Sequence, residues 1–334
     1  MTTSRTEDRN RPNWNGNGPR PLAWTAWYPA EVSQTRLRDD DGKPGTSFFI
    51  DPGAVRNAPL ADASPTWPVV MLSHGTGGTM SGLGWLGVRL ASAGYVVIGV
   101  DHHGNTASEP YRAEGFLSWW ERPRDLSLLL DFHLGEGPFA GRLDQYHIYA
   151  AGFSLGGYTV LSLLGAITDM SLFASWMKQV PGMTVNPREF PGLAEELVPL
   201  LERNSVFRAS WGRQSQSFLD ERIRAGLLCA PAPPVRGFTI DSLASIRRPV
   251  AITVGGNDQE APAEICSGWL HDHLPNSSLK RLESTAGHFV FLCECTELGK
   301  TEAADICLDA SGVDRRAIHD RTASLAISTF SANR

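Results

Sequence analysis

The 334-residue sequence has no excess of positive charge and no long apolar run, and it has few cysteines. Its 30 Lys and Arg residues are outnumbered by 36 Asp and Glu residues, which gives a net charge of −6. Nucleic-acid-binding domains normally carry a basic excess, so we expect no such partner. No apolar stretch approaches the roughly 18 residues that a membrane helix requires, and residues 1–18 lack the apolar core of a secretory signal. These features predict a soluble, cytoplasmic protein.

The cysteine content argues against a disulfide scaffold. The chain has an odd number of cysteines, namely Cys229, Cys266, Cys293, Cys295 and Cys307. Cys293 and Cys295 form a C-x-C pair, which lacks the C-x-x-C spacing typical of structural zinc sites, so we expect no metal. A bridge between Cys295 and Cys307 would require an oxidising compartment, so we expect free thiols.

The N-terminal part of the chain differs in pattern from the rest. Residues 1–20 are polar and predict a flexible arm, which leaves residues 21–334 as one folded domain. Residues 21–29 (PLAWTAWYP) alternate apolar and polar side chains, as a half-buried antiparallel strand does. A turn at residues 39–45 (DDDGKPG) and a second strand at residues 46–50 (TSFFI) would complete an edge hairpin or meander.

The remaining chain alternates short apolar runs with amphipathic segments. Runs of this kind are typical of parallel strands covered by helices on both faces. The predicted strands are Pro68–Leu72, Tyr95–Val100, His147–Ala151, Ala225–Ala230, Val250–Val254 and Ser278–Leu282. The predicted helices are Met80–Ala93, Pro123–Leu134, Leu155–Ile167 and Ala261–His273. Strands that alternate with helices predict a doubly wound, mostly parallel α/β sheet.

Residues 168–218 interrupt this alternation. A segment of this length is far longer than the usual loop of about four to six residues. It contains one clear amphipathic helix, Leu193–Leu201. Its large apolar residues are Trp176, Met177, Met183, Phe190, Phe207, Trp211 and Phe218. We interpret the segment as a lid over a cleft, with a surface excursion that packs its own small cluster as the alternative.

The strongest local signal is G-x-S-x-G at Gly152–Gly156, placed between a predicted strand and a predicted helix. This context is the one that a nucleophilic serine requires, because a sharp strand-to-helix turn exposes the hydroxyl of Ser154 at a helix N-terminus. Side chains at Gly152 or Gly156 would collide with neighbouring backbone. The pattern predicts that Ser154 is a nucleophile.

A serine nucleophile needs a base, which a carboxylate must orient. In this type of fold the chain order is serine, acid, histidine. Asp258 follows a predicted strand and two glycines, and His288 follows the last predicted strand, so we predict that they are the acid and the base. Asp241 and Glu260 are the alternative acids. The competing histidines are His102, His103, His271, His273 and His319.

Acyl transfer also needs an oxyanion hole. The predicted donors are the backbone N–H groups of Leu155, directly after the nucleophile, and of Thr76, in the Ser73–Gly78 segment (SHGTGG) after an earlier strand. This segment lacks the spacing of a phosphate or dinucleotide loop, so no cofactor is expected. The residues predicted to contact substrate are His74, His103, Phe153, Phe207, Trp211 and Phe289.

These segments together resemble a known family. LSHGTGG, VDHHGNT, GFSLGGYTVL, GGND and AGHFVFL look like the α/β-hydrolase superfamily, and more narrowly the dienelactone-hydrolase-like and platelet-activating-factor-acetylhydrolase-like bacterial serine hydrolases. The resemblance covers roughly residues 20–165 and 219–330, and it implies the same roles for Ser154, Asp258 and His288. True dienelactone hydrolases have a cysteine nucleophile where this chain has serine, and residues 168–218 match no lid of the family.

The sequence therefore predicts a lidded serine hydrolase that cleaves a small carboxylic ester or lactone through an acyl-enzyme. The many apolar side chains of the insertion favour a bulky, apolar substrate. Amide hydrolysis or acyl transfer by the same triad is an alternative activity. A non-catalytic binding protein with the same fold is an alternative of another class. The sequence leaves the oligomeric state open.

Overall fold

The computed structural model describes residues 1–31, 47–180 and 186–333. In these ranges one sheet contains eight strands. Their bounds are β1 (Thr2–Pro12), β2 (Pro19–Trp27), β3 (Trp67–Ser73), β4 (Val96–Asp101), β5 (Leu143–Phe153), β6 (Ile223–Cys229), β7 (Val250–Val254) and β8 (Ser277–Arg281). The strand order is β1-β2-β4-β3-β5-β6-β7-β8. The first two pairings, β1 with β2 and β2 with β4, are antiparallel, and all later pairings are parallel.

Twelve α-helices accompany the sheet in the described part of the chain. Their bounds are α1 (Gly84–Ser92), α2 (Ala113–Leu117), α3 (Arg122–Gly135), α4 (Leu155–Leu163), α5 (Met170–Met177), α6 (Leu193–Arg203), α7 (Ser205–Trp211), α8 (Ile240–Ser245), α9 (Trp269–His273), α10 (Glu297–Glu302), α11 (Ala304–Cys307) and α12 (Arg315–Ser331). Short 3₁₀ segments occupy Met80–Leu83, Trp119–Glu121, Pro233–Gly237 and His288–Phe291, and a π-helical turn occupies Glu264–Gly268. No helix among the described residues is long and apolar enough to cross a membrane.

The inner parallel strands, β3 to β7, are buried on both faces along most of their length, which explains their apolar runs. Along β3, Val69 and Met71 belong to the core layer beneath α3 and α4, whereas Val70 and Leu72 belong to the layer beneath α1 and α12. Successive side chains of a strand point to opposite faces, so every position of a doubly covered strand must be apolar. The predicted doubly wound α/β architecture is therefore confirmed.

The parallel register places the site. Ser73 at the end of β3 pairs with Gly152 of β5, and Phe153 pairs with Cys229 of β6. The loop that follows β3 and the turn that follows β5 therefore lie side by side at the carboxyl edge of the sheet. This edge is where ligands bind in open α/β sheets.

The prediction of a flexible arm at residues 1–20 is wrong, because the structure places Thr2–Pro12 in the edge strand β1. Backbone hydrogen bonds to β2 define this strand, and an edge strand needs no apolar face. Its inward side chains are charged: Asp8 and Arg11 are 2% and 4% exposed. Since they are buried by ion pairs, the hydrophobic pattern gave no signal of a strand.

The predicted N-terminal hairpin is also wrong. Pro19–Trp27 pairs with β1 and β4, and of the described part of the second predicted strand, residues 47–50, only Phe49 makes a bridge, to Cys295. The predicted turn at residues 39–45 lies outside the described residues. The strand at residues 21–29 was predicted correctly, but its partners come from distant parts of the chain.

The insertion carries α5, α6 and α7. Phe173 and Trp176 of α5 are buried, and Phe173 packs edge-on against Trp119 at 5.0 Å between ring centroids. Trp211 of α7 packs edge-on against Trp120, and Phe207 packs against Trp211. Met183 lies outside the described residues. The segment is thus partly helical, and its role as a lid stays a prediction.

The expectation of free thiols is wrong for one pair. Cys295 and Cys307 form a disulfide with a Cα–Cα distance of 5.5 Å, whereas Cys229, Cys266 and Cys293 are buried free thiols. The helical turn of α11 brings Cys307 back to Cys295, which the sequence separation alone did not indicate. Disulfides are typical of oxidising compartments, so this bridge does not favour the predicted cytoplasmic location.

Candidate active site

Ser154 stands on a strained turn between β5 and α4. Its φ of 54° and ψ of −117° lie where residues other than glycine rarely occur. Backbone hydrogen bonds hold the turn: the Ser154 N–H donates to Cys229 O at 2.8 Å, and Ser154 O accepts from the N–H of Gly157 at 2.8 Å and of Ala232 at 3.1 Å. Strain of this kind, about 1–3 kcal/mol per residue, persists only where the surroundings impose it.

The flanking glycines are what permit the turn. A Cβ atom on Gly152 would lie 2.2 Å from Gly156 O, and one on Gly156 would lie 2.1 Å from Ser73 O. Both contacts are with backbone, which cannot move aside without shifting a strand. The sequence G-x-S-x-G thus lets β5, α4 and the end of β3 approach closely around the serine.

Ser154, His288 and Asp258 form a hydrogen-bonded chain. His288 Nε2 lies 3.0 Å from Ser154 Oγ, and His288 Nδ1 lies 2.7 Å from Asp258 Oδ2. An ionised carboxylate can only accept, so Nδ1 carries the proton and Nε2 is left to accept from the serine hydroxyl. The three residues are 7%, 6% and 4% exposed, which limits competition from water.

Local backbone contacts position the acid. After β7, the N–H groups of Gly256 and Asn257 donate to Glu283 O and Ala286 O, which ties this turn to the loop before His288. The other carboxylate oxygen of Asp258, Oδ1, accepts from the Ala261 N–H at 2.7 Å. Both of the alternative acids, Asp241 and Glu260, are exposed, and in the described structure neither is bonded to His288.

The competing histidines have other partners. His319 stacks on Trp85 at 3.9 Å between ring centroids, and its Nε2 lies 3.0 Å from Val290 O. His271 and His273 contact Ser277 Oγ and Trp269 O. Across the described ranges, no group of three His, Cys, Asp or Glu residues has a geometry that could hold a metal ion.

The Ser73–Gly78 loop lies beside Ser154, with a Cβ on Gly75 reaching 3.2 Å from Ser154 Cβ. Its carbonyls are held from behind: His74 O accepts from Arg122 Nη2 at 2.7 Å, and Gly75 O from His74 Nδ1 at 2.6 Å. The Gly77 N–H donates to Asn105 Oδ1 at 2.8 Å. The N–H groups of Thr76 and Leu155 donate to no acceptor in the described residues, which leaves them for a ligand.

A buried layer of charges supports this loop. Asp125 of α3 accepts from Arg20 at 2.8 Å and from Arg11 at 2.6 Å, and it accepts from His102 Nδ1 at 3.0 Å. His102 Nε2 in turn lies 2.9 Å from Ser73 Oγ. The layer therefore runs from β1 to the start of the loop. We call this group of residues the charge layer: Arg11, Arg20, His102, Glu121, Arg122 and Asp125.

Burial determines the charges in this layer. Burial would raise the pKa of Asp125, but Arg20 and Arg11 outweigh it and hold that pKa well below its usual range. Burial, followed by the charge of Arg122, lowers the pKa of His102 to about 3. Burial lowers the pKa of Arg122 to about 9. At neutral pH the histidine is therefore neutral, and the ionised residues compensate one another.

Two nitrogens of Arg122, Nε and Nη1, have no hydrogen-bond partner among the described residues. A buried donor without an acceptor costs about 1–3 kcal/mol. The structure retains Arg122 there because its third nitrogen binds the carbonyls of the loop. Arg122 thus holds the carbonyls of the Ser73–Gly78 loop, while its Nε and Nη1 have no acceptor among the described residues.

The six residues predicted to contact substrate fall into three groups. Phe153 and Phe289 lie 4.8 Å and 5.2 Å from the His288 ring, and Phe289 is the more exposed of the two. His74 is buried within its loop, and His103 pairs with Glu109 at 2.7 Å. The described ring contacts of Phe207 are with Trp211, and those of Trp211 are with Phe207 and Trp120. The structure thus brings two of the six to the base.

Sequence reasoning missed Arg122, Asp125 and Glu189. A signal was available for the first two, because Arg122, Asp125 and Leu129 share one face of α3 at i, i+3 and i+7. Charged residues in line with a buried apolar stripe indicate buried ion pairs. For Glu189, which lies in the insertion, the sequence offered no signal.

The sheet, the serine turn and the order of the three residues define an α/β-hydrolase fold. A solved structure described as a ferulic acid esterase from Streptomyces cinnamoneus superposes with a TM-score of 0.65 at 19% identity, over 99% of this chain and 88% of that one. The predicted fold is therefore confirmed.

Sequence comparisons reach shorter parts of the chain. The family model for platelet-activating factor acetylhydrolase, isoform II, matches residues 50–118, which include the Ser73–Gly78 loop. Cutinase est2 of Thermobifida alba is 33% identical over 31% of this chain and 32% of its own length. The bis(hydroxyethyl) terephthalate hydrolase of Streptomyces coelicolor is 32% identical over 35% of this chain and 38% of its own. The chain thus matches about a third of the length of these relatives.

Proposed function

We propose that this protein is a serine hydrolase that cleaves carboxylic esters through an acyl-enzyme intermediate. The observation that carries the proposal is the chain from Ser154 Oγ through His288 to Asp258, with distances of 3.0 Å and 2.7 Å. Its position on a strained turn beside two unbonded N–H groups gives both a nucleophile and a site for negative charge. The names of the relatives, which are cutinases and other esterases, support an ester as the bond that is cleaved.

In the proposed reaction Ser154 Oγ attacks the ester carbonyl while its proton passes to His288 Nε2. The negative charge on the carbonyl oxygen is stabilised by the Thr76 and Leu155 N–H groups, and each such donor is worth about 3–4 kcal/mol. The imidazolium, held by Asp258, then gives the proton to the departing alcohol. Water, deprotonated by His288, then attacks the acyl carbonyl. The bond to Ser154 Oγ breaks as His288 returns the proton to that oxygen, which releases the acid and the free serine.

The substrate is a small-molecule ester. Phe289, partly exposed beside His288, supplies one apolar wall next to the scissile bond, which supports an acyl or alcohol group with an apolar surface there. Trp176 and Phe207 of the insertion are buried, and Trp211 packs against Trp120, so these side chains support this preference less than their number suggested.

A fluorophosphonate probe with peptide mapping tests the proposal. We expect labelling at Ser154, and we expect Ser154→Ala to lose the label and to lower kcat for p-nitrophenyl hexanoate about 10⁴-fold or more. The matched control is Ser162→Ala, which removes another buried hydroxyl from α4, the helix that follows Ser154, and this hydroxyl donates to Tyr158 O. Residual activity of Ser154→Ala within tenfold of the wild type would overturn the assignment.

A further inference from the structure

Two consecutive residues of the insertion contact residues of the candidate active site. The Arg188 guanidinium lies 5.2 Å from the ring centroid of Phe289, the neighbour of His288. Glu189 lies against Gly77 of the Ser73–Gly78 loop. The next residue, Phe190, packs edge-on against Phe116 of α2 at 5.4 Å. The insertion therefore meets the site through Arg188 and Glu189, whereas α7 packs elsewhere.

The Glu189 side chain packs against Gly77 of the Ser73–Gly78 loop. A Cβ atom on Gly77 would lie 2.8 Å from Glu189 Cγ and 3.1 Å from Tyr111 Oη. The Tyr111 hydroxyl donates to Gly77 O at 2.8 Å, so it is already engaged. A glycine at position 77 leaves room for the glutamate where it lies, and its φ of +61° also favours glycine. The glutamate is thus packed beside the residue that follows Thr76.

The carboxylate of Glu189 has no side-chain hydrogen-bond donor or ion-pair partner in the described residues. Its neighbour Arg188 forms an ion pair with Asp305. Burial raises the pKa of Glu189, its own backbone N–H and the charge of Arg188 lower it, and the charge of Glu260 raises it further. A positive charge on His288 would lower it too. A half-buried carboxylate without a side-chain partner among the described residues therefore lies against the loop and interacts electrostatically with the base.

We propose that Glu189 is a specificity-determining residue, whose carboxylate makes the site reject esters that carry a negative charge near the scissile bond and favour cationic or neutral ones. This inference rests on the proposed esterase function. A charge next to a low-dielectric cleft acts on any charged substrate that enters it, and an uncompensated like charge is an effective means of rejecting the wrong substrate. The insertion would then select substrates by charge.

Glu189 also acts on every substrate through its interaction with His288. That contribution is common to all esters, so it cancels when two esters are compared in the same variant. The ratio of kcat/KM between a cationic and an anionic ester therefore isolates the direct effect of the carboxylate on the substrate.

The test compares three p-nitrophenyl esters of nearly equal length, namely the 5-(trimethylammonio)pentanoate, the hexanoate and the hydrogen adipate. In the wild type we expect kcat/KM to fall in that order. Glu189→Gln should raise the value for the adipate about fivefold and lower that for the cationic ester about fivefold, relative to the hexanoate. A fivefold change is the size expected when the Glu189 carboxylate and a unit charge on the substrate lie about 10 Å apart at an effective dielectric constant of about 30.

The matched control is Glu196→Gln, which removes the same charge from an exposed position in α6; it should leave the ratio unchanged. A second measurement needs no variant: raising the salt from about 20 mM to about 500 mM should narrow the wild-type ratio. An unchanged ratio in a folded Glu189→Gln protein, or a wild-type ratio insensitive to salt, would overturn the inference alone. Failure of the wild type to hydrolyse all three esters would overturn the proposed function, and this inference with it.

Discussion

The two segments that supply the candidate oxyanion donors are held in place by different physical means. The Ser154 turn is fixed by close packing of backbone. A Cβ atom on Gly156 would lie 2.1 Å from Ser73 O, and one on Gly152 would lie 2.2 Å from Gly156 O. The Ser73–Gly78 loop is fixed by charge: Arg122 binds its carbonyls, and Asp125 secures His102 behind it. One support is steric and local, and the other is electrostatic and drawn from distant residues.

This difference determines how each segment should fail. A steric constraint has no intermediate state, since an added methyl group either fits or displaces a strand. A hydrogen-bonded support can weaken by degrees, because the loop keeps its covalent path and part of its partners. We therefore expect abrupt loss from changes at the turn and graded loss from changes in the charge layer.

The largest effect is expected from Gly156→Ala. Its methyl group would lie 2.1 Å from Ser73 O, so α4 must move away from β3 and carry the Leu155 N–H with it. We expect no measurable ester hydrolysis and a strongly lowered melting temperature, as measured by p-nitrophenyl hexanoate assay and thermal denaturation.

Gly135→Ala is the matched control, because a Cβ there has no neighbour within 4 Å. It should keep full activity, and stability should rise slightly because alanine favours the helix. A Gly156→Ala protein with activity near that of the wild type would show that close packing does not hold the Ser154 turn in place.

An intermediate effect is expected from Arg122→Met. Without the guanidinium, the His74 carbonyl loses its donor and the Gly75 carbonyl keeps only His74 Nδ1, so the loop that carries the Thr76 N–H is held less firmly. We expect kcat to fall about 10²-fold, the size of one misplaced oxyanion donor, with KM nearly unchanged. Arg122→Lys, which keeps one donor and the charge, should recover part of kcat.

Arg142→Met provides the control. Arg142 donates to the carbonyls of Ala61, Ser64 and Pro65, in a loop at the opposite edge of the sheet. The Arg142→Met variant should have a lower melting temperature than the wild type and an unchanged kcat. If Arg122→Met lost only stability in the same way, the charge layer would support the fold and not the position of the loop.

The same contrast explains what the sequence could reveal. The serine turn is encoded by neighbouring residues, so G-x-S-x-G predicted Ser154, and the chain order predicted His288 and Asp258. The structure joins these three in one hydrogen-bonded chain, and their catalytic roles stay a prediction. Five apolar runs, together with the Ser278–Leu282 segment, predicted the six strands of the parallel part of the sheet. Local sterics and hydrophobic burial leave local patterns, and these patterns were sufficient for the core.

The charge layer left no such pattern. Arg11 and Asp125 are 114 residues apart, and Arg20 and Asp125 are 105 apart. Their pairing depends on a polar strand, β1, that has no hydrophobic periodicity, and for this reason residues 1–20 were predicted to be an arm. The approach of Glu189 to Gly77 likewise depends on how the insertion packs, which no periodicity encodes.

The smallest effect on catalysis is expected from a substitution in α7, where the insertion packs against Trp120 and the charge-layer residue Glu121. Phe207 is fully buried, its neighbour Trp211 packs edge-on against Trp120 at 5.4 Å, and Ser210 Oγ donates to Glu121 Oε1 at 2.7 Å. Phe207→Ala should therefore lower the free energy of unfolding by about 3–5 kcal/mol. It should change kcat/KM for acetate and hexanoate esters equally, and by no more than about twofold.

Phe289→Ala is the counterpart, because this partly exposed ring lies beside His288. It should leave the melting temperature nearly unchanged and lower kcat/KM for the hexanoate about tenfold more than for the acetate, since it removes an apolar wall that only the longer chain contacts. If instead Phe207→Ala raised KM for the larger ester alone at unchanged stability, α7 would line the substrate cleft as a lid. The insertion would then act on the substrate directly through α7 and not only through Arg188 and Glu189.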